Sequence, residues 1–337
     1  MPDRDALSES LGQLQSARNA ILDGIAQVII GQEQVIKLML ASIFAGGHCI
    51  LVGVPGLAKT MMVKALSHVL DLKFKRIQFT PDLMPSDITG TNVIMEDESG
   101  RRHFEFVQGP IFANIILADE INRTPPKTQA ALLEAMQEKQ ITVGRQTYRL
   151  PSPFFVIATQ NPIEQEGTYE LPEAQLDRFM FMIEVRYPNL QEEEQILSST
   201  AGRARDMPER VVSVTSIVNV QQLVEKVAVS NYIVSYATRL IRSTRPDDRF
   251  APPFVKELVE WGVGPRAGQY LIWGAKALAA MNGRPAVSAR DIKEVAVPVF
   301  RHRIATNFQA QAEGIDSVEI VRKLLDTVPE PKVRRHG

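Results

Sequence analysis

The sequence has little cysteine, little tryptophan and almost no excess of charge. Its single cysteine, Cys49, excludes an intrachain disulfide, which fits a reducing compartment. Lys and Arg number 38 against 39 Asp and Glu, so the net charge is -1 and the basic excess of proteins that coat nucleic acid is missing. No stretch reaches about 18 consecutive apolar residues, and the first ten residues do not resemble a signal peptide. We therefore expect no membrane span and a cytoplasmic location.

What is present is a globular composition, with 45% hydrophobic residues among 337. Short apolar runs alternate with helical spacing as far as residue 187, which predicts an α/β core domain with a mostly parallel sheet flanked by helices. Turn signals within 91–107 and 140–150 predict two inserted β-hairpins. We expect a connector over 188–212, a smaller all-helical domain over 213–328 and a frayed tail over 329–337.

A glycine-containing loop follows the first predicted buried strand and opens a helix, which is the setting of a phosphate-binding loop. Its main-chain N–H groups would surround a β-phosphate, Lys59 would reach the β- and γ-phosphates, and the Thr60 hydroxyl would bind Mg²⁺. The predicted ATP contacts in this loop are Gly53, Val54, Pro55, Gly56, Leu57, Ala58, Lys59, Thr60 and Met61.

Ala58 occupies the place of the second glycine in this motif. We expect alanine to be accepted there because the position needs only a helical backbone conformation. A plain glycine-containing turn before a helix is the alternative interpretation.

Another apolar strand ends in Asp119 and Glu120. In this Walker B pattern Asp119 would hold Mg²⁺ and Glu120 would orient the attacking water, since a metal-bound carboxylate is a poor base. An acidic loop after a strand would look the same if it stood alone. The next apolar strand ends at Asn161, which would hydrogen-bond the γ-phosphate, or would begin a turn as Asn-Pro pairs often do.

Two arginines are candidates for phosphate contacts. Arg178 precedes a predicted strand, and Arg266 lies in the first turn of a helix, where the helix dipole does not favour a cation. Each arginine taken alone is also explained by a surface salt bridge. The tryptophans Trp261 and Trp273 are interpreted as helical core residues, and the run 301–303 (Arg-His-Arg) as a solvated or interfacial charge cluster.

The order of these motifs resembles the AAA+ ATPases, and more closely the MoxR family within them. The matching strings span about residues 20–310: 31–33 (GQE), 53–60 (GVPGLAKT), 83–90 (LMPSDITG), 109–112 (GPIF), 118–122 (ADEIN), 130–137 (AALLEAMQ), 158–162 (ATQNP) and 171–179 (LPEAQLDRF). Departures at Glu170 and Gly264 affect the subfamily assignment and leave the ATPase motifs complete.

The resemblance implies further roles. Asn161 resembles sensor 1, Arg178 the arginine finger that reaches a neighbouring subunit, and Arg266 sensor 2. The adenine contacts would be Ile30, Gly31 and Gln32. It also implies a homo-oligomeric ring, usually a hexamer, that hydrolyses ATP with Mg²⁺ and acts as a chaperone on partner complexes, often with von Willebrand factor A domain proteins.

Two other functions stay open at this point. The first is a nucleotide-gated binding scaffold with weak hydrolysis. The second is a DNA-acting AAA+ protein, because the hairpin over 140–150 carries Arg145 and Arg149, although the near-neutral charge argues against nucleic acid as a partner. The sequence has no Asn-Lys-x-Asp string that would indicate a GTPase.

Overall fold

The computed structural model describes residues 2–98, 100–163, 167–200 and 207–330, so most of the predicted tail over 329–337 lies outside the described residues. The helices are α1 (Pro2–Ala26), α2 (Glu33–Phe44), α3 (Lys59–Val69), α4 (Pro85–Thr89), α5 (Pro126–Glu138), α6 (Glu173–Leu176), α7 (Leu190–Thr200), α8 (Val214–Lys226), α9 (Asn231–Ser243), α10 (Pro253–Leu258), α11 (Pro265–Met281), α12 (Ala289–Phe300), α13 (Phe308–Ala312) and α14 (Ser317–Thr327). The strands are β1 (Cys49–Val52), β2 (Phe74–Gln78), β3 (Gly90–Glu96), β4 (Arg102–Gln108), β5 (Ile115–Asp119), β6 (Gln140–Val143), β7 (Gln146–Arg149), β8 (Phe155–Gln160), β9 (Phe181–Glu184), β10 (Val259–Trp261) and β11 (Ala305–Thr306).

Five strands form a parallel sheet in the order β2-β5-β8-β1-β9. The predicted α/β class with a parallel sheet flanked by helices is therefore confirmed. Strands β5 and β8 are buried along almost their whole length, which explains why the sequence shows continuous apolar runs rather than alternation.

Alternate residues of the central strands belong to two separate hydrophobic clusters. Leu51 and Ile157 join the cluster that contains α1, α2, α3 and most of the C-terminal helices, whereas Ile50 and Ala158 join the one under α5. Because side chains of a strand alternate between faces, the two clusters are the two faces of the sheet. The strands are thus fixed from both sides, and their ends are rigid supports for functional loops.

The C-terminal helices α8–α14, called the lid below, pack against the first face of the sheet through α11, α12 and the N-terminal helices. The expectation of a wholly helical lid is wrong at one place, because β10 and β11 pair as a short antiparallel ladder. Trp261 lies in β10 with 64% of its surface exposed, so the helical-core interpretation of this residue is also wrong. Trp261 lies in a short strand at the surface, where the sequence does not follow the 3.6-residue period of a helix.

Each of the segments 91–107 and 140–150 contains an antiparallel pair of strands, β3–β4 and β6–β7. The two hairpins touch, because Phe106 of β4 stacks on Tyr148 of β7 with ring centroids 4.1 Å apart.

No described helix is long and apolar enough to cross a membrane.

His48 is buried directly before β1, and both of its ring nitrogens contact main-chain groups. Nδ1 accepts a hydrogen bond from the Val156 amide at 3.0 Å, and Nε2 lies 3.2 Å from the Met136 carbonyl oxygen. Burial lowers the pKa of His48 to about 4. Burial also raises the pKa of the adjacent Cys49 thiol to about 12, so Cys49 is a core residue and not a nucleophile.

Candidate nucleotide site

Three adjacent strands of the sheet end in the polar segments that the sequence singles out. The phosphate loop follows β1, Asn161 follows β8, and Asp119 closes β5. Strand β8 lies between β1 and β5, and all three run parallel, with Val52 opposite Gln160 and Ala118 opposite Ala158. The carboxyl ends of parallel strands meet at one edge of the sheet, so these residues converge.

The phosphate loop leaves β1 at Gly53, where a side chain has no room. A Cβ at Gly53 would lie 2.6 Å from the Val185 carbonyl oxygen, so this glycine is required by the chain that continues from β9. At Gly56 the requirement is conformational, because its φ is +84°. The two glycines therefore serve different purposes, and only the second shapes the loop itself.

Ala58 is the N-cap of α3 and has φ 56° and ψ 21°, in the left-handed region. The expectation that this position needs only a right-handed helical conformation is wrong. A left-handed conformation costs an L-residue with a side chain about 1–2 kcal/mol, which explains why glycine suits this place in the motif. Alanine here leaves the loop with a small amount of stored strain.

The Lys59 side chain folds back over the loop, and its ammonium donates a hydrogen bond to the Gly53 carbonyl oxygen. Half-burial lowers the pKa of Lys59, while the carboxylates of Asp119 and Glu120 act in the opposite direction. The ammonium is thus held inside the loop, beside the acidic pair and next to the main-chain amides that open α3. This is where the β- and γ-phosphates of a nucleotide would lie.

Asp119 is held by three neighbours. Its Oδ2 lies 3.4 Å from the Thr60 hydroxyl oxygen and accepts a hydrogen bond from Nε of Arg76 at 2.8 Å. Its Oδ1 accepts a hydrogen bond from the Thr159 hydroxyl at 2.6 Å, and that hydroxyl oxygen accepts one from the Glu120 amide at 2.8 Å. Thr159 therefore fixes both members of the acidic pair.

Thr60 and Asp119 suit a magnesium ion. Mg²⁺ prefers oxygen ligands in octahedral geometry at about 2.0–2.1 Å and is often held by one or two carboxylates together with phosphate oxygens and water. The Thr60 hydroxyl and Asp119 carboxylate oxygens are 3.4 Å apart, and an approach of about 0.5 Å would bring them to the spacing of two neighbouring positions of such a shell. The described residues contain no cluster of three or more His, Cys, Asp or Glu arranged for a metal, so phosphate and water would have to complete the shell.

Glu120 departs from the strand direction, because its backbone is left-handed with φ 58°. Its Oε2 accepts a hydrogen bond from Gln78 Nε2 at 2.9 Å and lies 3.2 Å from a guanidinium nitrogen of Arg123. Both contacts fall on the same oxygen, so Oε1 keeps its lone pairs within the described part of the chain. A water molecule held there would lie beside the phosphate loop.

Asn161 is 4% exposed, and its Oδ1 accepts a hydrogen bond from the Ile163 amide at 3.2 Å. The turn that Asn-Pro predicts is therefore present. The same bond fixes the orientation of the amide, leaving Nδ2 as a donor near the end of β8. The turn and the phosphate contact are compatible interpretations of one side chain.

The predicted adenine contacts Ile30, Gly31 and Gln32 precede α2. The side-chain Nε2 of Gln32 donates a hydrogen bond to the Arg186 carbonyl oxygen at 2.8 Å, and Arg186 follows the carboxyl end of β9. This segment therefore lies at the carboxyl end of the strands, where the phosphate loop also lies.

Arg178 and Arg266 do not join these residues. Arg178 precedes the amino end of β9, where Phe181 pairs with Cys49 at the start of β1. The phosphate loop follows the other end of β1, at least the length of a four-residue strand away, about 13 Å. Arg266 is bound to Asp177 at 2.7 Å, as the salt-bridge interpretation predicts, and so stands beside Arg178. The Arg178 side chain has no partner among the described residues.

Sequence reasoning missed the residues that support the acidic pair. Arg76 and Gln78 lie two positions apart on β2, the edge strand beside β5, so a polar alternation next to the Walker B strand was the available signal. Thr159 carried no signal, because a threonine inside a buried strand is ordinarily a packing residue. Arg303 was missed in a different way: it is interpreted above as part of a solvated or interfacial cluster, and its side chain, only 3% exposed, excludes the solvated alternative for this residue.

Comparisons with known proteins agree with this geometry. Residues 48–181 match the model of the ATPase family associated with various cellular activities (AAA), and residues 254–324 match the AAA lid domain. The chain is 40% identical to the chaperone MoxR1 of Mycobacterium tuberculosis, over 95% of this chain and 84% of that protein. It is 41% identical to the protein YeaC of Bacillus subtilis, over 93% of this chain and 94% of the other.

The same comparisons extend to a solved structure and a more distant relative. The crystal structure of a candidate ATPase from Cytophaga hutchinsonii superposes with a TM-score of 0.90 at 40% identity, covering 98% of this chain and all of that one. The protein MoxR of Methylorubrum extorquens is 28% identical over 91% of this chain and 93% of its own length.

Proposed function

The chain belongs to the MoxR family of AAA+ ATPases, and we propose on this premise that it binds ATP with Mg²⁺ and hydrolyses it to ADP and phosphate. The observation that carries the proposal is the convergence of the phosphate loop, Asp119 and Asn161 at the ends of three adjacent parallel strands. The 3.4 Å separation of the Thr60 and Asp119 oxygens adds a place for the metal.

In this proposal the loop over residues 53–61 surrounds the β-phosphate with its main-chain N–H groups, to which Pro55 contributes none. Lys59 exchanges its bond to the Gly53 carbonyl for the β- and γ-phosphate oxygens, whose negative charge adds to that of the nearby Asp119 and Glu120. Bound Mg²⁺ supplies positive charge that neutralises the phosphates. Ile30, Gly31 and Gln32 contact the adenine.

Glu120 orients the attacking water through Oε1, because Gln78 and Arg123 occupy the other oxygen and hold the carboxylate in place. The Asn161 amide donates to the γ-phosphate from the next strand end. Thr159 holds Asp119 and Glu120 in fixed positions relative to each other, so one carboxylate binds the metal and the other orients the water.

Arg178 and Arg266 act on the nucleotide of a neighbouring subunit. Both lie at the opposite edge of the sheet from their own phosphate loop and beside each other, so neither is placed to reach its own nucleotide. A homo-oligomeric ring, with a hexamer as the expected size, brings one edge against the other. An arginine supplied in this way is worth about 10³–10⁵ in rate.

The ring remodels or matures partner complexes as a chaperone in the cytoplasm, with von Willebrand factor A domain proteins as the expected partners. The relative from Mycobacterium tuberculosis is named a chaperone, which supports this class of function.

A nucleotide-gated scaffold with weak hydrolysis is the second candidate. The ion pair between Arg123 and Glu120 favours it, because the guanidinium occupies one oxygen of the carboxylate that would orient the water. Steady-state turnover of the wild-type protein separates the two functions, since a scaffold would bind ATP and turn over at a rate that Glu120→Gln does not change.

The test uses the full chain with ATP and Mg²⁺. Lys59→Ala removes the charge on the phosphates and should abolish nucleotide binding or turnover, whereas Lys64→Ala, on the exposed face of the same helix, should not. Glu120→Gln should bind ATP and lose turnover, with exposed Glu134→Gln as the matched control. Wild-type turnover in Lys59→Ala would refute the proposed site.

Arg178→Ala should lower kcat by about 10³ or more and leave ATP binding nearly intact. Mixing its subunits with those of Glu120→Gln tests the neighbour arrangement, because each variant carries the part that the other lacks. Failure to recover activity, under conditions where subunits exchange, would refute action across subunits.

A further inference from the structure

The short turn over residues 177–180, between α6 and β9, is held by both domains: its amides donate hydrogen bonds to carbonyl oxygens of α6 and of His48, and its carbonyl oxygens are bound by the lid. Each of its four carbonyl oxygens accepts a hydrogen bond from a lid side chain. The bonds run to Asp177 O from Arg303 (2.8 Å), to Arg178 O from the Tyr270 hydroxyl (3.1 Å), to Phe179 O from Arg303 (2.6 Å) and to Met180 O from Arg303 (3.4 Å). Nε2 of His302 is also 3.1 Å from Phe179 O.

Arg303 makes most of these contacts. Besides the carbonyls, its Nε donates to Asp177 Oδ1 at 2.7 Å, and its guanidinium lies over the Tyr270 ring, 5.2 Å from the centroid. The side chain is 3% exposed, so its donors are directed to the turn and to the Val299 carbonyl oxygen of α12, and not to water. A buried arginine with this many acceptors holds a backbone segment more firmly than neutral hydrogen bonds do.

The Arg178 side chain shows the opposite behaviour. Within the described residues it has no hydrogen-bond or ion-pair partner, and it borders a cavity of about 320 Å³ together with Lys139 and Trp273. The backbone of Arg178 is thus fixed by the lid through its carbonyl oxygen and by α6 through its amide, while its guanidinium is left available. This combination is expected of a group that is aimed before its ligand arrives.

We propose that Arg303 is a positioning residue for Arg178, so that the lid, and not the α/β core alone, sets where the arginine finger stands. The proposal rests on the proposed function, in which Arg178 completes a neighbour's active site. Arg303 does not touch the nucleotide; it acts through the turn over residues 177–180.

A purely structural role for Arg303 predicts different results. If Arg303 only stabilised the contact between lid and core, its loss would lower stability and leave the kcat of folded subunits unchanged. If it positions Arg178, its loss lowers kcat with little change in the KM for ATP, because the subunit's own phosphate loop is intact.

The experiment compares Arg303→Lys, which keeps the charge and loses the forked geometry, with Arg284→Lys. Arg284 is bound to the buried Asp291 inside the lid, so its replacement perturbs lid stability without touching the turn. We expect at least a tenfold loss of kcat in Arg303→Lys with KM for ATP within about twofold, and no such loss in Arg284→Lys. Equal kcat in Arg303→Lys and wild type would overturn the inference.

Tyr270→Phe provides a milder variant if Arg303→Lys does not fold. It removes only the bond to the Arg178 carbonyl, and we expect a loss of kcat of a few-fold. An unchanged kcat in this variant, with Arg303→Lys unfolded, would count against the inference.

Two combinations identify the site of action. The double variant Arg178→Ala with Arg303→Lys should have the kcat of Arg178→Ala alone, since the positioning residue has nothing left to position. Subunits of Arg303→Lys should recover activity when mixed with Glu120→Gln subunits and fail to recover with Arg178→Ala subunits. Recovery with both would overturn the inference, whereas wild-type kcat in Arg178→Ala would instead refute the proposed function.

Discussion

Replacing Ala58 by glycine should stabilise the protein, although it removes a methyl group from the start of a helix. Ala58 has φ 56°, and a left-handed residue with a side chain costs about 1–2 kcal/mol. Glycine adopts this conformation without that cost, but its unfolded chain is more flexible, which offsets about 0.4–1 kcal/mol. The difference is a gain of about 1 kcal/mol for Ala58→Gly.

Urea unfolding of the nucleotide-free protein measures this gain. With a denaturant slope of about 3 kcal/mol/M, a gain of this size raises the urea midpoint by about 0.3 M at an unchanged slope. Ala65→Gly is the matched control, because Ala65 lies in the middle of the same helix with no exposed surface. There the substitution should lower stability by about 1 kcal/mol for helix propensity and about 0.8 kcal/mol for the lost buried carbon.

The two substitutions are chemically identical and should shift the midpoint in opposite directions. A fall of the midpoint in Ala58→Gly, parallel to that in Ala65→Gly, would show that Ala58 is not strained and would refute the reasoning about the loop.

Two other substitutions test the polar contacts described above. Thr159→Val keeps the shape of the side chain and removes the bonds to Asp119 and Glu120, so kcat should fall about tenfold and the half-saturating Mg²⁺ concentration should rise; an unchanged magnesium titration of ATPase activity would contradict this. His48→Gln tests the pH dependence of stability. Because the pKa of His48 is about 4 in the folded protein, against an ordinary value of 6.5 for an unfolded chain, only the unfolded chain gains the proton between these values, and stability falls as the pH drops through that window. Urea unfolding between pH 7 and 4.5 gives the free energy of unfolding as a function of pH. That free energy should change less steeply with pH in His48→Gln than in wild type, by up to about 1.4 kcal/mol per pH unit, and equal pH dependence in the two proteins would contradict the assignment.

The parts of the fold that follow from local pattern were predictable from the sequence. The strands β5 and β8 appear as apolar runs because both of their faces are covered, and the phosphate loop is recognisable because its amides need glycine at one position. The polar residues at the ends of these strands follow from the topology, since parallel neighbours end at the same edge.

The errors come from contacts between residues far apart in the sequence. Ala58 looks helical in the sequence, because nothing local shows that the loop enters α3 through a left-handed residue. The run at 301–303 looks in the sequence like a solvated or interfacial cluster and not like part of a site, because the carbonyl oxygens that Arg303 binds belong to a turn about 125 positions earlier. A charge can be recognised as buried only when its acceptors are known.

The phosphate loop and Arg178 lie at opposite ends of the strands of one sheet. This placement also determines how many complete catalytic centres an assembly of subunits contains. Under the proposed function, an open row of n subunits stacked head to tail contains n − 1 complete catalytic centres, and a lone subunit contains none. Closing the row into a ring adds the last centre without adding a subunit. Specific activity per chain therefore rises with protein concentration and reaches its ceiling only at closure, which makes dilution itself a means of switching the enzyme off.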